Sequence, residues 1–239
     1  MADQLVYWPG FPGRAEPIRL ALEEAAAEYD DTPGGMDELM KYVTPEFVDP
    51  NGNTPPFAPP ILKVGNHLLY QTTNILLFLG PKLGLIPDDE LGLYQVNELA
   101  LTAWDLSDEA HNTHHPIGVG LYYEDQKDAA AENAKQFRES RIPKFFGFFN
   151  RVLEQNKASN SDYLVGSSLT YADLVLWQVI DGLKFAFPKA TERELGKLEL
   201  LKAFYDRVKE RPRIKEYLGS KRRQKYSNGL FRHYEELDQ

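Results

Sequence analysis

The sequence predicts an α/β domain followed by an all-α domain. Three observations carry that expectation. Short apolar runs bounded by turn residues occur only in the first third, they follow a βαβ and then a ββα order, and from about residue 90 the apolar period is helical. The 239 residues are enough for two ordinary domains, and 42% hydrophobic with 26% charged residues is the balance of a chain with a real core.

Leu5-Val6-Tyr7 is an apolar run that ends at Pro9-Gly10-Phe11-Pro12-Gly13, the pattern of a buried strand entering a turn. Arg14 to Ala27 is rich in Ala, Leu and Glu and sets Ile18 and Leu22 on one face. Pro17 falls in the first turn of this predicted helix, where a missing N–H costs nothing. From Thr32 to Pro60, Gly, Pro, Asn and Asp dominate, with one short helical piece near Asp37 to Tyr42. A connection this long is uncommon unless it builds a site. Ile61 to Val64 and His67 to Tyr70 flank Gly65-Asn66, a hairpin signal. Thr72 to Leu79 reads as an apolar helix closed by Gly80-Pro81, and the segment to Asp89 as a linker.

Helices are then predicted near 90–115, 128–156, 171–186, 197–209 and 212–219. Thr170 with Asp173 three residues on forms a capping box ahead of Leu174, Leu176, Val179, Ile180 and Leu183. The resulting domains are 1–83, a linker at 84–90, and 91–239.

A net charge of −9 argues against nucleic acid as a partner, because phosphate binding needs a concentrated positive field. The one dense basic run, Lys221-Arg222-Arg223 with Lys225, reads as a solvated helix end. There is no cysteine, which removes disulfides, thiolate metal sites and a cysteine nucleophile together. A thiol in the chemistry must therefore arrive with a ligand. Neither a signal-peptide pattern nor an apolar stretch near 18 residues is visible, so no membrane association is expected and the cytoplasm is the expected location.

This order, with Pro60 just ahead of a hairpin, resembles the cytosolic glutathione S-transferase superfamily over nearly the whole chain. The most specific piece is Pro60-Ile61-Leu62, followed at the family's spacing by Gly65 and then Gln71-Thr72. Gly13-Arg14-Ala15-Glu16-Pro17-Ile18-Arg19 looks like the first helix of the Tyr-type classes, sigma and its relatives. Leu169 to Asp173 matches the capping element of the helical domain, and Gly229 to Tyr234 looks like the ending of a fungal and bacterial branch. The resemblance implies a thioredoxin-like βαβ-ββα domain that binds glutathione, and a helical bundle domain for the second substrate. It implies a homodimeric enzyme that presents the glutathione thiolate to a hydrophobic small-molecule electrophile. A glutathione-dependent isomerase or biosynthetic enzyme, and a non-catalytic ligand-binding protein of the same fold, are the alternative readings.

The thiolate is the nucleophile in such a reaction. A free thiol with a pKa of about 8.5 is only about 3% ionised at pH 7, and lowering it by two units takes about 2.7 kcal/mol. One or two charge-assisted hydrogen bonds, at roughly 1.5–3 kcal/mol each, supply that. By resemblance Tyr7 is the donor to the sulfur and Arg14 adds positive potential; read alone, Tyr7 is equally a half-buried strand aromatic. The loop after Tyr7 is one residue longer than the usual Tyr-type spacing, and Pro12 stands where the family has an Arg, which gives Trp8 and Phe11 a part in shaping the pocket.

Gln71 and Thr72 match the clamp for the γ-glutamyl carboxylate, where the first N–H groups of a helix are unpaired; Thr72 as a plain N-cap is compatible with that role. Lys41 is either a ligand of the glycyl carboxylate or an exposed helix lysine. Pro60 is expected to follow a cis bond, and Pro59, at the position that normally pairs with the cysteinyl unit, has no N–H to offer. Asp105 and Asp108 are candidates for reaching the partner subunit's glutathione, or are solvated carboxylates. His111, His114 and His115 share a helix face as metal ligands would, but no cysteine or fourth ligand completes the set. No metal is therefore assigned. His111 and His115, with Phe231 from the tail, are expected to line the second-substrate pocket.

Overall fold

β1 (Asp3–Val6) is the first apolar run, with Leu5 and Val6 fully buried. It pairs in parallel with β2 (Tyr29–Asp31) and antiparallel with β3 (Ile61–Val64). β3 pairs antiparallel with β4 (His67–Tyr70), giving a sheet of order β2-β1-β3-β4. Gly65, at φ +58, opens the two-residue turn between β3 and β4, a conformation that favours glycine. α1 (Glu16–Glu24) and α3 (Thr72–Leu83) pack on each other, while Leu39 and Tyr42 of α2 (Gly35–Tyr42) join Val6, Ile61 and Leu68 in a cluster against the sheet.

This computed structural model describes residues 2–239, which form two compact units. One comprises residues 2–85 with Pro212–Lys225, the other Ile86–Arg211 with Tyr226–Gln239. α10 (Pro212–Leu218) thus belongs with the sheet, where it packs on α1 and Tyr217 donates to Glu16 Oε1 at 3.0 Å. The basic run beyond it is more than a solvated helix end. Arg222 forms a two-pronged bond with Glu23 at 2.9 and 2.9 Å, and Arg223, only 10% exposed, pairs with buried Glu16 at 3.2 Å.

α3 does not stop at Gly80-Pro81. It continues to Leu83 because a proline this close to the end removes only one hydrogen bond. Gly84, left-handed at φ +67, closes it, with Leu85 N–H returning to the Gly80 carbonyl at 2.9 Å.

The second unit is helical. α4 (Glu90–Asn112) packs along α7 (Tyr171–Ala186), whose residues are buried almost all round. The helix expected over 128–156 is instead α5 (Lys127–Gln136) and α6 (Ile142–Gln155), joined by a π-turn at Phe137–Arg141. A helical period persists through such a bulge, so periodicity alone does not reveal it. α8 (Pro188–Leu195), unforeseen, begins at a proline in the N1 position ahead of α9 (Glu199–Lys209). The tail is tied down: Asp238 accepts from Lys189 N–H at 2.7 Å and Ala190 N–H at 3.1 Å at the start of α8, Arg138 donates to the Leu237 carbonyl, and Tyr123 donates to Glu236 at 3.0 Å. Among the described residues no helix is long and apolar enough to cross a membrane.

The capping box at the start of α7 is present as read. Asp173 Oδ2 accepts from Thr170 N–H at 2.7 Å and from its hydroxyl at 2.8 Å, and Oδ1 accepts from Leu164 N–H at 2.8 Å. Burial pushes this carboxyl up to about 6 against the opposing hydrogen bonds. With both oxygens facing donors, Asp173→Asn turns an amide NH2 towards at least one N–H. Losing a buried partner costs roughly 1–3 kcal/mol. The thermal midpoint of the Asn variant, followed by circular dichroism, is expected to fall about 2–4 °C for each kcal/mol lost.

Candidate active site at the end of the sheet

Strand register assembles the site. Val6 lies opposite Ile61, and Ile61 opposite Tyr70. The next residue on each strand is Tyr7, Pro60 and Gln71 respectively, so these three residues share one end of the sheet. The Pro59–Pro60 bond is cis, and both prolines are buried.

The extra residue after β1 is absorbed by a turn. Phe11 N–H reaches the Trp8 carbonyl at 3.4 Å, with Pro9 second and Gly10 third at φ +82, the sequence and geometry of a type II turn. Arg19, 1% exposed, fixes the end of this turn by donating to the carbonyls of Phe11 at 3.3 Å and Pro12 at 3.0 Å. The same guanidinium holds Asp31 through Nε at 2.8 Å and Nη2 at 3.2 Å, and Glu16 at 3.3 Å. Burial opposes its charge, but Glu16 and Asp31 more than offset that, so Arg19 stays protonated. Neither Glu16 nor Arg19 stands out as a site residue in the sequence. Their i,i+3 spacing beside a Pro/Gly-rich loop is the available signal.

Tyr7 is buried, and its hydroxyl accepts the Arg14 N–H at 2.8 Å. Burial raises the phenol above its ordinary pKa, and the Arg14 N–H and the charges of Arg14 and Arg19 only partly oppose this. The phenol therefore keeps its proton at neutral pH and has an O–H to give. Gly13, at φ +46, makes the arrangement possible, since a Cβ there would overlap the Tyr7 hydroxyl and ring.

Thr72, at the start of α3, is buried and spends its hydroxyl proton on the Arg14 carbonyl at 2.8 Å. The Arg14 backbone is thus held on both sides of its Cα, at the N–H by Tyr7 and at the carbonyl by Thr72. Gln71 is exposed and sits at φ +71, ψ 120, a conformation rarely adopted by a residue with a Cβ. Beyond it the first N–H groups of α3 lack partners within the helix, the arrangement that suits a carboxylate.

Lys41 is on the surface of α2 and pairs with Glu38 at 2.7 Å, which raises the ammonium's pKa. Trp8 is 38% exposed and Phe11 half-buried on the turn beside Tyr7. In the second unit, Asp105 is exposed on α4; its partial burial, Asp108 and Glu109 all raise its pKa. Phe231 is buried, its ring covering Gly182 where a Cβ would overlap it. α4 ends at Asn112, not near 115, so His114 and His115 lie in the tight turn after it, with backbone bonds of 3.3 Å from His114 N–H to His111 and from His115 N–H to Asn112.

A thioredoxin-like sheet unit followed by a helical unit has counterparts among known proteins. Residues 111–221 match the family model described as "Glutathione S-transferase, C-terminal domain". The chain is 29% identical to the glutathione S-transferase P 1 of Xenopus laevis, over 92% of this chain and 93% of that protein. It is 26% identical to the glutathione S-transferase of Plasmodium falciparum, over 95% and 100%. Among solved structures, the Pi-class glutathione S-transferase of Onchocerca volvulus superposes with a TM-score of 0.69 at 24% identity, covering 91% of this chain and 92% of that one. The chain has the glutathione S-transferase fold. The likeness to the superfamily spans both units.

Within that fold the close approach of Gly13 to Tyr7 is the least forgiving contact of the site. Gly13→Ala is expected to cost more than about 1 kcal/mol, because alanine strains a positive φ and its methyl displaces the phenol. In urea denaturation the midpoint should fall with the slope unchanged.

Proposed function

We propose that this chain is a glutathione S-transferase in which Tyr7 donates its hydroxyl proton in a hydrogen bond to the sulfur of bound glutathione and so holds it as the thiolate. The observation that carries this reading is the Tyr7 hydroxyl itself: it accepts from Arg14 N–H, stays protonated by burial, and lies at the strand end next to cis-Pro60. Accepting one bond polarises the O–H and strengthens what it donates. Arg14 adds positive potential. The thiolate attacks the electrophilic carbon of a small apolar molecule, the carbon–sulfur bond forms, and the leaving group departs with its electron pair. The indole of Trp8, beside Tyr7, offers an apolar face to that molecule.

The γ-glutamyl carboxylate is assigned to the N–H groups at the start of α3 and the side chain of Gln71. Thr72 serves this clamp indirectly: its proton is committed to Arg14, so it fixes the loop and leaves the carboxylate to the backbone. Lys41 is a candidate for the glycyl carboxylate, at the cost of its present pairing with Glu38. Residues 1–83 are assigned as the glutathione-binding domain and 84–90 as the linker; of the helical domain expected at 91–239, residues 212–225 fold with the first unit. The chain is assigned to the Tyr-type, sigma-like classes with a fungal or bacterial tail, acting in the cytoplasm. A homodimer is supported by apolar side chains left exposed on α4, Leu91, Tyr94 and Leu101, and in the other unit by Phe57, 89% exposed. Asp105 or Asp108 is then assigned to the partner's glutathione ammonium.

Two variants test the site. Tyr7→Phe removes a bond to a charged sulfur worth roughly 1.5–3 kcal/mol, so kcat/KM towards an activated aryl halide should fall roughly 10- to 150-fold with glutathione affinity little changed. Unchanged kcat/KM removes Tyr7 from the mechanism. Pro59→Val restores an N–H facing the cysteinyl unit, worth about 0.5–1.5 kcal/mol, and calorimetry should show glutathione binding about 2- to 13-fold tighter. No gain dismisses the backbone pairing at this position.

A further inference from the structure

The turn after α4 carries a group of side chains that the glutathione chemistry leaves unused. His111, His114 and His115 each offer a ring nitrogen, and these three nitrogens lie within 4.8 Å of one another. Their rings meet at centroid distances of 4.9, 5.0 and 4.7 Å. His114 is 2% exposed, and its Nδ1 has no hydrogen-bond partner among the described residues. Its Nε2 faces the Leu230 carbonyl at 3.3 Å. A carbonyl accepts only, so Nε2 carries the proton and Nδ1 keeps a bare lone pair. This is the tautomer of a metal-ligating histidine, whose second nitrogen donates to a backbone carbonyl or carboxylate.

His115 is oriented as well. Its ring hydrogen-bonds the Leu121 backbone carbonyl, and the Gln126 nitrogen, 3.4 Å from its Nδ1, is occupied by the Gly118 and Leu121 carbonyls, each at 3.2 Å, while the Gln126 oxygen accepts from Ile117 N–H at 3.0 Å.

We propose that His111, His114 and His115 form a three-histidine site for a zinc-class divalent cation, with water or a small anion in the fourth position. Three imidazoles and one open position make a complete set for zinc, so the missing fourth protein ligand does not count against it. Zinc–nitrogen bonds of about 2.1 Å in a tetrahedral site put the nitrogens roughly 3.4 Å apart, so the rings close by at most about 1.4 Å. His111, half-buried, is the member of the set that is open to solvent. Arg232 bears on His114 and His115 as a positive charge. It weakens cation binding and favours an anion as the fourth ligand. Zinc at this turn would tie the end of α4 to the tail through the Leu230 carbonyl, within one unit and independently of glutathione.

The test is calorimetric titration of the full chain, without a polyhistidine tag, with zinc chloride, repeated on His111→Ala and His115→Ala. One zinc per chain is expected, with each variant binding at least about 10-fold more weakly. Cobalt(II) in its place should give the intense visible absorption of a tetrahedral centre, lost in both variants. His111 is only half-buried, so its removal spares the core, and circular dichroism verifies the fold of both variants. If the unaltered chain takes up no zinc, or if both folded variants bind with the same stoichiometry and affinity, the site is an aromatic cluster and the proposal fails.

Discussion

The Arg14 backbone is the constraint on which the site rests. Its N–H is bound by the Tyr7 hydroxyl and its carbonyl by the Thr72 hydroxyl, both at 2.8 Å. Two successive peptide planes joined at one Cα therefore tie the end of β1 to the start of α3. The thiol-facing and carboxylate-facing halves of the proposed glutathione site cannot drift independently. The tyrosine is also made a better donor by what it accepts, and burial keeps its proton in place.

The surrounding loop is held in turn by charge. Glu16 is fully buried and is met by Arg19, Tyr217 and Arg223, so α10 and the segment just after it, about 200 residues further along the chain, help satisfy and neutralise it. Arg19 spends its remaining donors on Asp31 and on the carbonyls of the turn after β1. Breaking such a buried network leaves an uncompensated charge, at a cost of about 3–5 kcal/mol. A surface ion pair such as Lys41–Glu38 carries no comparable weight.

Much of this is legible in the sequence. The βαβ-ββα order, the Gly65-Asn66 turn and the capping box at Thr170 and Asp173 rest on local signals, the cis bond before Pro60 on the family resemblance, and all are present. The misread features have physical reasons. A π-turn preserves helical periodicity, so α5 and α6 read as one helix. A proline near a helix end is tolerated, so α3 runs past Pro81. The network around Glu16 joins residues about 200 positions apart, which no window along the chain can see. Thr72 is legible as a hydroxyl at a helix start, but not as one already committed to Arg14.

The ionisation of glutathione inside the complex tests the account most directly. Ultraviolet absorbance of the thiolate, followed against pH on the saturated protein, should show half-ionisation roughly two units below the free value of about 8.5. A sulfur that titrates in the complex as it does in free solution would contradict the assignment of Tyr7, whatever the fold.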